Sequence, residues 1–391
     1  MWEKCRDMQE ELVKMRRELH RIPELGGELP ETRAYVEEKL REYGISFKEN
    51  TSDSGLVAEI KGGSAGKTLA LRADMDALPI KEANKVDYAS EHEGCMHACG
   101  HDAHMTMLLG AAKVLSENKE KLKGKVRLIF QTAEEESRGA ERSIKEGCMD
   151  GVDAIFGTHI GTILSKDIPS GTVVAAPGCC MASFDKFVIK VKGTGCHGST
   201  PEKGVDPINI AAHIIINLQE ILAREIPAVK PTVLTICHVE AGFAYNVIPS
   251  EVLLEGTIRA VEEGVRRELA KRIGEIAKAT AETFRGSVDY EMIWGAPPVV
   301  NDEKMAAFAA RCAAEVAGEK NVMDVIAAPT MIGEDFAYYL LEKPGAFMFL
   351  SSSNPEKHTD VAHHSDNFNI DEDVLWEGSA VFVNIAEKFL G

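Results

Sequence analysis

Residues 96–104 read Met96-His97-Ala98-Cys99-Gly100-His101-Asp102-Ala103-His104. The residues that follow, Met105, Leu108, Leu109, Ala112 and Leu115, recur at helical spacing, so the polar cluster sits at a helix N-terminus. Four side chains able to ligate a metal, His97, Cys99, His101 and His104, fall within these few positions. Gly100 lets the backbone turn tightly enough for the Cys99 thiolate and the His101 imidazole to converge on one point. A helix start also favours an anion such as a thiolate. The plain alternative is a buried cysteine flanked by capping histidines; residues elsewhere in the chain decide between the two.

Around this stretch strands and helices alternate. Two amphipathic helices with a turn at Pro23 to Gly27 occupy residues 8–44. Thr68 to Arg72 is a short apolar strand leading into Asp74 and Asp76, and Val126 to Gln131 is a second leading into Glu134-Glu135-Glu136. A helix over 138–147 and a strand over Ala154 to Gly157 follow, the latter running into His159. Alternation of this kind predicts a mixed sheet covered by helices. Asp74/Asp76, Glu134/Glu135 and His159 each lie just past the carboxyl end of a predicted strand, where open α/β sheets carry their ligand crevice. Together with Cys99 and His101 they point to one cleft.

Residues 184–294 read differently, as strand, helix, two strands, long helix and strand. This β-α-β-β-α-β order is the ferredoxin-like pattern of a separate small domain. The α/β pattern resumes over residues 295–391, with a helix at 302–317, a strand at 346–351 and a closing helix at 372–390. The expected organisation is therefore a discontinuous catalytic domain, 1–183 with 295–391, interrupted by an inserted domain, 184–294.

Composition narrows the classes of function. A chain of 391 residues exceeds one ordinary core. The net charge of −18 argues against nucleic acid or an anionic membrane as partner. No apolar run is long enough to span a bilayer, and the start of the chain lacks a signal peptide's apolar core. The nine scattered cysteines suit reduced thiols, so a cytoplasmic location is expected.

The chemistry follows from the pairing of acidic residues. Of two carboxylates side by side, one can bind metal while its neighbour, facing the other way, handles protons. We assign Glu135 to the metal and Glu134 to the general base that water activated by metal requires, with Glu136 a fallback for either. Cys99, His101, Glu135, His159 and one of His363 and His364 make five ligands. That is too many for one tetrahedral ion and suits two ions bridged by the thiolate. Asp76 would orient a histidine ligand, and Asp74 would approach the metals.

Longer motifs carry a resemblance. They are R-R-E-L-H-R-I-P-E-L-G at Arg16 to Gly26, R-A-D-M-D-A-L-P at Arg72 to Pro79, M-H-A-C-G-H-D at Met96 to Asp102 and F-Q-x-A-E-E at Phe130 to Glu135. Further along come H-x-x-x-P-x-x-G-V-D-P at His197 to Pro207, N-V-I-P at Asn246 to Pro249, G-T-I-R at Gly256 to Arg259, E-D-F at Glu334 to Phe336 and H-x-x-x-F at His364 to Phe368. The chain resembles, over its whole length, the aminoacylase/carboxypeptidase family of two-metal peptidases. Its amidohydrolase branch holds hippurate hydrolases, N-acyl-amino-acid amidohydrolases, auxin-conjugate hydrolases and N-acetyldiaminopimelate deacetylases.

The resemblance implies Cys99 (bridging), His101, Glu135, His159 and His364 as ligands of two divalent ions, zinc or manganese, with cobalt or nickel as further options. It implies Glu134 as general base, His197 as the histidine that stabilises the oxyanion, often across a dimer, and Asn246 and Arg259 as substrate-binding residues. The expected reaction is hydrolysis of the amide of an N-acyl amino acid; a dipeptidase or carboxypeptidase on the same site is the alternative. The inserted domain would serve as lid and dimerisation domain of a homodimer or tetramer. Departures fall away from the ligands: M-I-G-E-D-F stands where M-G-S-E-D-F is usual, Glu202 where histidine is frequent, and the C-terminal motif lacks its proline.

Overall fold

The computed structural model describes residues 1–391, which divide into two compact units. The first comprises Met1–Cys180, Val299–Thr330 and Glu334–Gly391. The second comprises Met181–Pro298 with the short stretch Met331–Gly333.

The first unit is built on an eight-stranded mixed sheet. At its centre Lys123–Gln131, Ser64–Asp74, Ala154–Gly161 and Gly345–Ser351 run parallel, side by side in that order. Outside Lys123–Gln131, the strands Leu56–Lys61 and Ser46–Glu49 pair antiparallel. Every residue of Ala154–Gly161 and of Gly345–Ser351 is buried, as befits parallel strands covered on both faces. Because the central strands are parallel, their carboxyl ends share one edge, and Asp74, Gln131 and His159 arrive there together.

Two of the predicted strands run further at their carboxyl ends than their apolar runs suggest. Asp74 is the last residue of its strand, and His159 lies inside its own, not past the end. Pairing with Gly345–Ser351 continues through His159 opposite Phe349 to Gly161 opposite Ser351. The ladder of main-chain hydrogen bonds thus carries the strand beyond Gly157, where the sequence places its end.

The helix His101–Glu117 is buried along nearly its whole length. Gly100 precedes it with φ +94°, the left-handed conformation that glycine adopts without steric cost. This helix packs closely against Leu375–Leu390. A Cβ on Gly378 would come within 2.0 Å of Met107 Sδ, and one on Gly110 within 2.6 Å of Ser379 Oγ. Ser379 Oγ in turn donates to the Met107 carbonyl at 2.9 Å. Gly378→Val should therefore lower stability by about 1–3 kcal/mol, the usual cost of overpacking, as read from denaturant unfolding. A change within error of zero would mean the helices can part without loss.

In the second unit Thr232–Ala241, Glu251–Ala260, Asp185–Lys192 and Ser287–Ile293 form, in that order, an antiparallel sheet. The helices Pro207–Asn217 and Glu263–Thr283 complete the β-α-β-β-α-β order. Phe187, Ile189, Val191, Ile210, Ile214, Leu254, Leu269 and Ile273 fill its core. Asp206 caps the first helix by accepting from Ile208 N and Asn209 N, with Pro207 in the first turn. A two-stranded ribbon, Cys196–His197 with Val247–Ile248, stands apart from the sheet.

Candidate metal centre

The first unit gathers the predicted ligands by main-chain means. His101 opens the buried helix, and its Nδ1 donates to the Asp76 carbonyl at 2.7 Å. His159 Nδ1 donates to the Ile160 carbonyl at 2.8 Å. A neutral imidazole that donates through Nδ1 carries its lone pair on Nε2. His159 Nε2 lies 3.4 Å from Cys99 Sγ. His101 Nε2 lies 3.9 Å from Glu135 Oε1, which is 3.4 Å from His364 Nε2. His364 is held at φ +62°, its N–H donating to the Ala98 carbonyl. The Cys99 sulfur thus lies within 4.8 Å of ligand atoms of two groups, Glu135 with His364 and His159 with His363.

The acidic turn is aimed by one residue. The Asp76 carboxylate accepts from Glu134 N at 3.0 Å and Glu135 N at 3.1 Å. Ala133, just before them, is left-handed at φ +51°, its N–H donating to the Gly26 carbonyl. Gly139 closes the turn where a Cβ would collide with Thr132 O at 1.6 Å. Glu134 then points inward, its Oε1 accepting from Asp335 N at 3.3 Å.

Beneath the turn lies a network that the sequence did not reveal. Arg72, fully buried, donates through Nε to Gln131 Oε1, through Nη1 to Asp74 Oδ2, and through Nη2 to both Glu334 Oε1 and Asp335 Oδ1, at 2.5–3.0 Å. Asp74 continues to His104, whose Nδ1 donates to Oδ1 at 2.5 Å and whose Nε2 accepts from Ile160 N at 2.9 Å. Both nitrogens of His104 are thereby engaged, which removes it from the possible ligands. His97 is buried and belongs to none of the ligand groups. A second buried network, Arg16 and His20 on Asp102, steadies the helix start from below.

Charge is out of balance here. Asp74, Asp76, Glu134, Glu135, Glu334 and Asp335 gather here, and Arg72 meets three of them, Asp74, Glu334 and Asp335. Burial, then Glu334, Glu135 and Asp335, push Glu134 well above the usual carboxylate range. Burial alone would lower His101, yet Asp74, Asp76 and Glu135 raise it to about 10. Burial followed by the Glu135 and Glu134 charges pushes the Cys99 thiol up. His101 Nε2 and Glu135 Oε1 are shut off from solvent without a hydrogen-bond partner. Orphaned lone pairs, crowded buried carboxyls and mixed S, N and O atoms all fit divalent cations. The 3.4–3.9 Å between these atoms is close to the roughly 3.3–3.8 Å edge of a tetrahedron with metal–ligand bonds near 2.0–2.3 Å.

The remaining predicted residues lie in the second unit. His197, exposed on the ribbon, accepts from Ser199 N at Nδ1, 3.1 Å, which leaves the proton on Nε2. Asn246 is its neighbour across the ribbon, its carbonyl accepting from Gly198 N at 2.8 Å. Arg259 donates to Thr257 Oγ1 at 2.6 Å and to the Ile258 carbonyl, and lies over the Phe184 ring.

A mixed α/β sheet with paired carboxyls, histidines and a cysteine at the carboxyl edge of its parallel strands defines a metal-dependent hydrolase. Comparison with known proteins agrees. Residues 70–388 match the model of peptidase family M20/M25/M40, and the chain belongs to that family. It is 38% identical to the N-acetyl-L-cysteine deacetylase of Bacillus subtilis over 98% of this chain and 89% of that protein. It is 36% identical to thermostable carboxypeptidase 2 of Saccharolobus solfataricus over 98% of this chain and 96% of that one. The crystal structure of the Bacillus subtilis YXEP protein, described as a dinuclear metal binding peptidase, superposes with a TM-score of 0.84. It is 34% identical, with 98% of this chain and 99% of that one covered. No helix is long and apolar enough to cross a membrane.

Proposed function

We propose that the enzyme hydrolyses the amide bond of N-acyl amino acids, releasing a carboxylic acid and the free amino acid. The observation that carries this reading is the division between adjacent glutamates: Glu135 Oε1 faces the His101 and His364 nitrogens, while Glu134 turns to the Asp335 amide. Cys99, His101, Glu135, His159 and His364 would hold two divalent ions, zinc or manganese above cobalt or nickel. When bound, these supply a Lewis acid for the carbonyl and lower the pKa of water to near neutrality.

Every other task falls to the chain. Glu134, buried and turned to the Asp335 amide, takes a proton from water and hands it to the leaving nitrogen. Asp76 holds both glutamates and His101 in register. His197, with its Nε2–H available, donates to the developing oxyanion. Arg259, whose side chain forms no ion pair within its unit, binds the substrate carboxylate, and Asn246 the amide carbonyl. The second unit would act as lid and as the contact of a homodimer, and nine cysteines suit a cytoplasmic setting.

Metal-stripped protein should be inactive on a panel of N-acetyl and N-benzoyl amino acids, and added Mn²⁺ or Zn²⁺ should restore turnover. Cleavage indifferent to metal would overturn the ligand assignment. The relative named a carboxypeptidase favours a second reading, peptide cleavage at the same centre. Dipeptides in the same panel decide between them: faster turnover of dipeptides than of N-acyl amino acids would replace the first reading with the second.

A further inference from the structure

His363 stands next to the proposed ligand His364 and shares the motif from which only one histidine was taken. Its ring sits in a slot shaped for it. Thr162 N donates to Nε2 at 3.0 Å. Phe368 lies against one face, centroids 4.7 Å apart, and His159 stands edge-on at 5.0 Å. Gly161, at φ +119°, makes room, since a Cβ there would come within 2.3 Å of His363 Nε2.

A backbone N–H can only donate, so Nε2 is an acceptor and the neutral ring carries its proton on Nδ1. That nitrogen is shut off from solvent and has no hydrogen-bond partner. One of the ring nitrogens falls within 4.8 Å of both Cys99 Sγ and a His159 nitrogen, and the Cys99 carbonyl, close to the same ring, is the rival acceptor. A protonated nitrogen cannot ligate a metal, but it can donate to a sulfur.

We propose that His363 is a positioning residue whose Nδ1–H donates to the bridging Cys99 thiolate, so that of the adjacent histidines one ligates and the other tunes the sulfur. The proposal rests on Cys99 being a metal ligand. Its chemistry is that of partners that hydrogen-bond to metal-bound groups: draining charge from the sulfur weakens its donation and leaves the ions more acidic.

Full-length enzyme loaded with cobalt(II) tests it. His363→Leu should hold cobalt to the same stoichiometry as the natural chain. Its thiolate-to-cobalt charge-transfer band should move to lower energy, and kcat should fall about 10- to 100-fold. His363→Asn, which can present an amide N–H where Nδ1 was, should keep the band in place and recover most of kcat. His363→Gln, whose amide reaches the wrong position, should repeat the leucine result and stands in for it if that variant does not fold. An unmoved band in both the leucine and glutamine variants would overturn the proposal, as would cobalt loss in all three variants, which would make His363 a ligand. A natural enzyme that binds cobalt with no thiolate band would instead sink the assignment of Cys99, and this proposal with it.

Discussion

Glu134→Gln should abolish most turnover, by about 10²- to 10⁴-fold in kcat, while metal content stays that of the natural enzyme. The amide keeps the size of the side chain and can still accept from Asp335 N, so the turn has no reason to rearrange. What is lost is the carboxylate oxygen that accepts the proton, since an amide oxygen is far too weak a base to replace it. Metal analysis beside steady-state kinetics checks both halves. Loss of metal along with activity would mean that Glu134 is a ligand, and that the roles of the two glutamates are exchanged.

Arg72→Met should destabilise the fold by about 3–5 kcal/mol, the range expected when one partner of a buried ionic network is removed. The guanidinium touches Asp74, Glu334, Asp335 and Gln131, and it is the one cation bonded to Glu334 and Asp335. Methionine matches the length but leaves them facing one another. Arg72→Lys restores charge without the fork that reaches four groups, so it should fall between the two. Urea unfolding of the three proteins in one buffer gives the answer. A methionine variant within about 1 kcal/mol of the natural chain would mean the carboxyls are already neutralised by other means.

Much of this cluster was legible from the sequence, because the residues proposed as ligands follow local rules. Cys99-Gly100-His101 announces a turn into a helix, and adjacent glutamates after an apolar strand announce a strand end. The alternation of elements gave the two architectures for the same reason: buried strands are apolar and helices periodic. What escaped is whatever depends on distant pairing. Nothing near His159 tells that its strand continues to Gly161, because that continuation is set by Gly345–Ser351, far along the chain. Arg72 reads as the end of a short strand, and its partners Glu334 and Asp335 lie some 260 residues on. The E-D-F motif was visible as a likeness, but its task, neutralising one side of an arginine and meeting Glu134 through a backbone N–H, required the fold. His104 shows the reverse error of proximity: near the ligands in sequence, it is spent on Asp74 and Ile160.

His101 and His159 are both oriented through Nδ1 by main-chain carbonyls, those of Asp76 and Ile160. Every amino acid supplies a carbonyl, so no single substitution deletes either acceptor. The aim of the two imidazoles is thus inherited with the path of the backbone and is largely silent to mutational drift. Descendants of this chain can exchange the side chains around the centre, and with them the substrates they accept, while the direction in which these nitrogens face stays fixed.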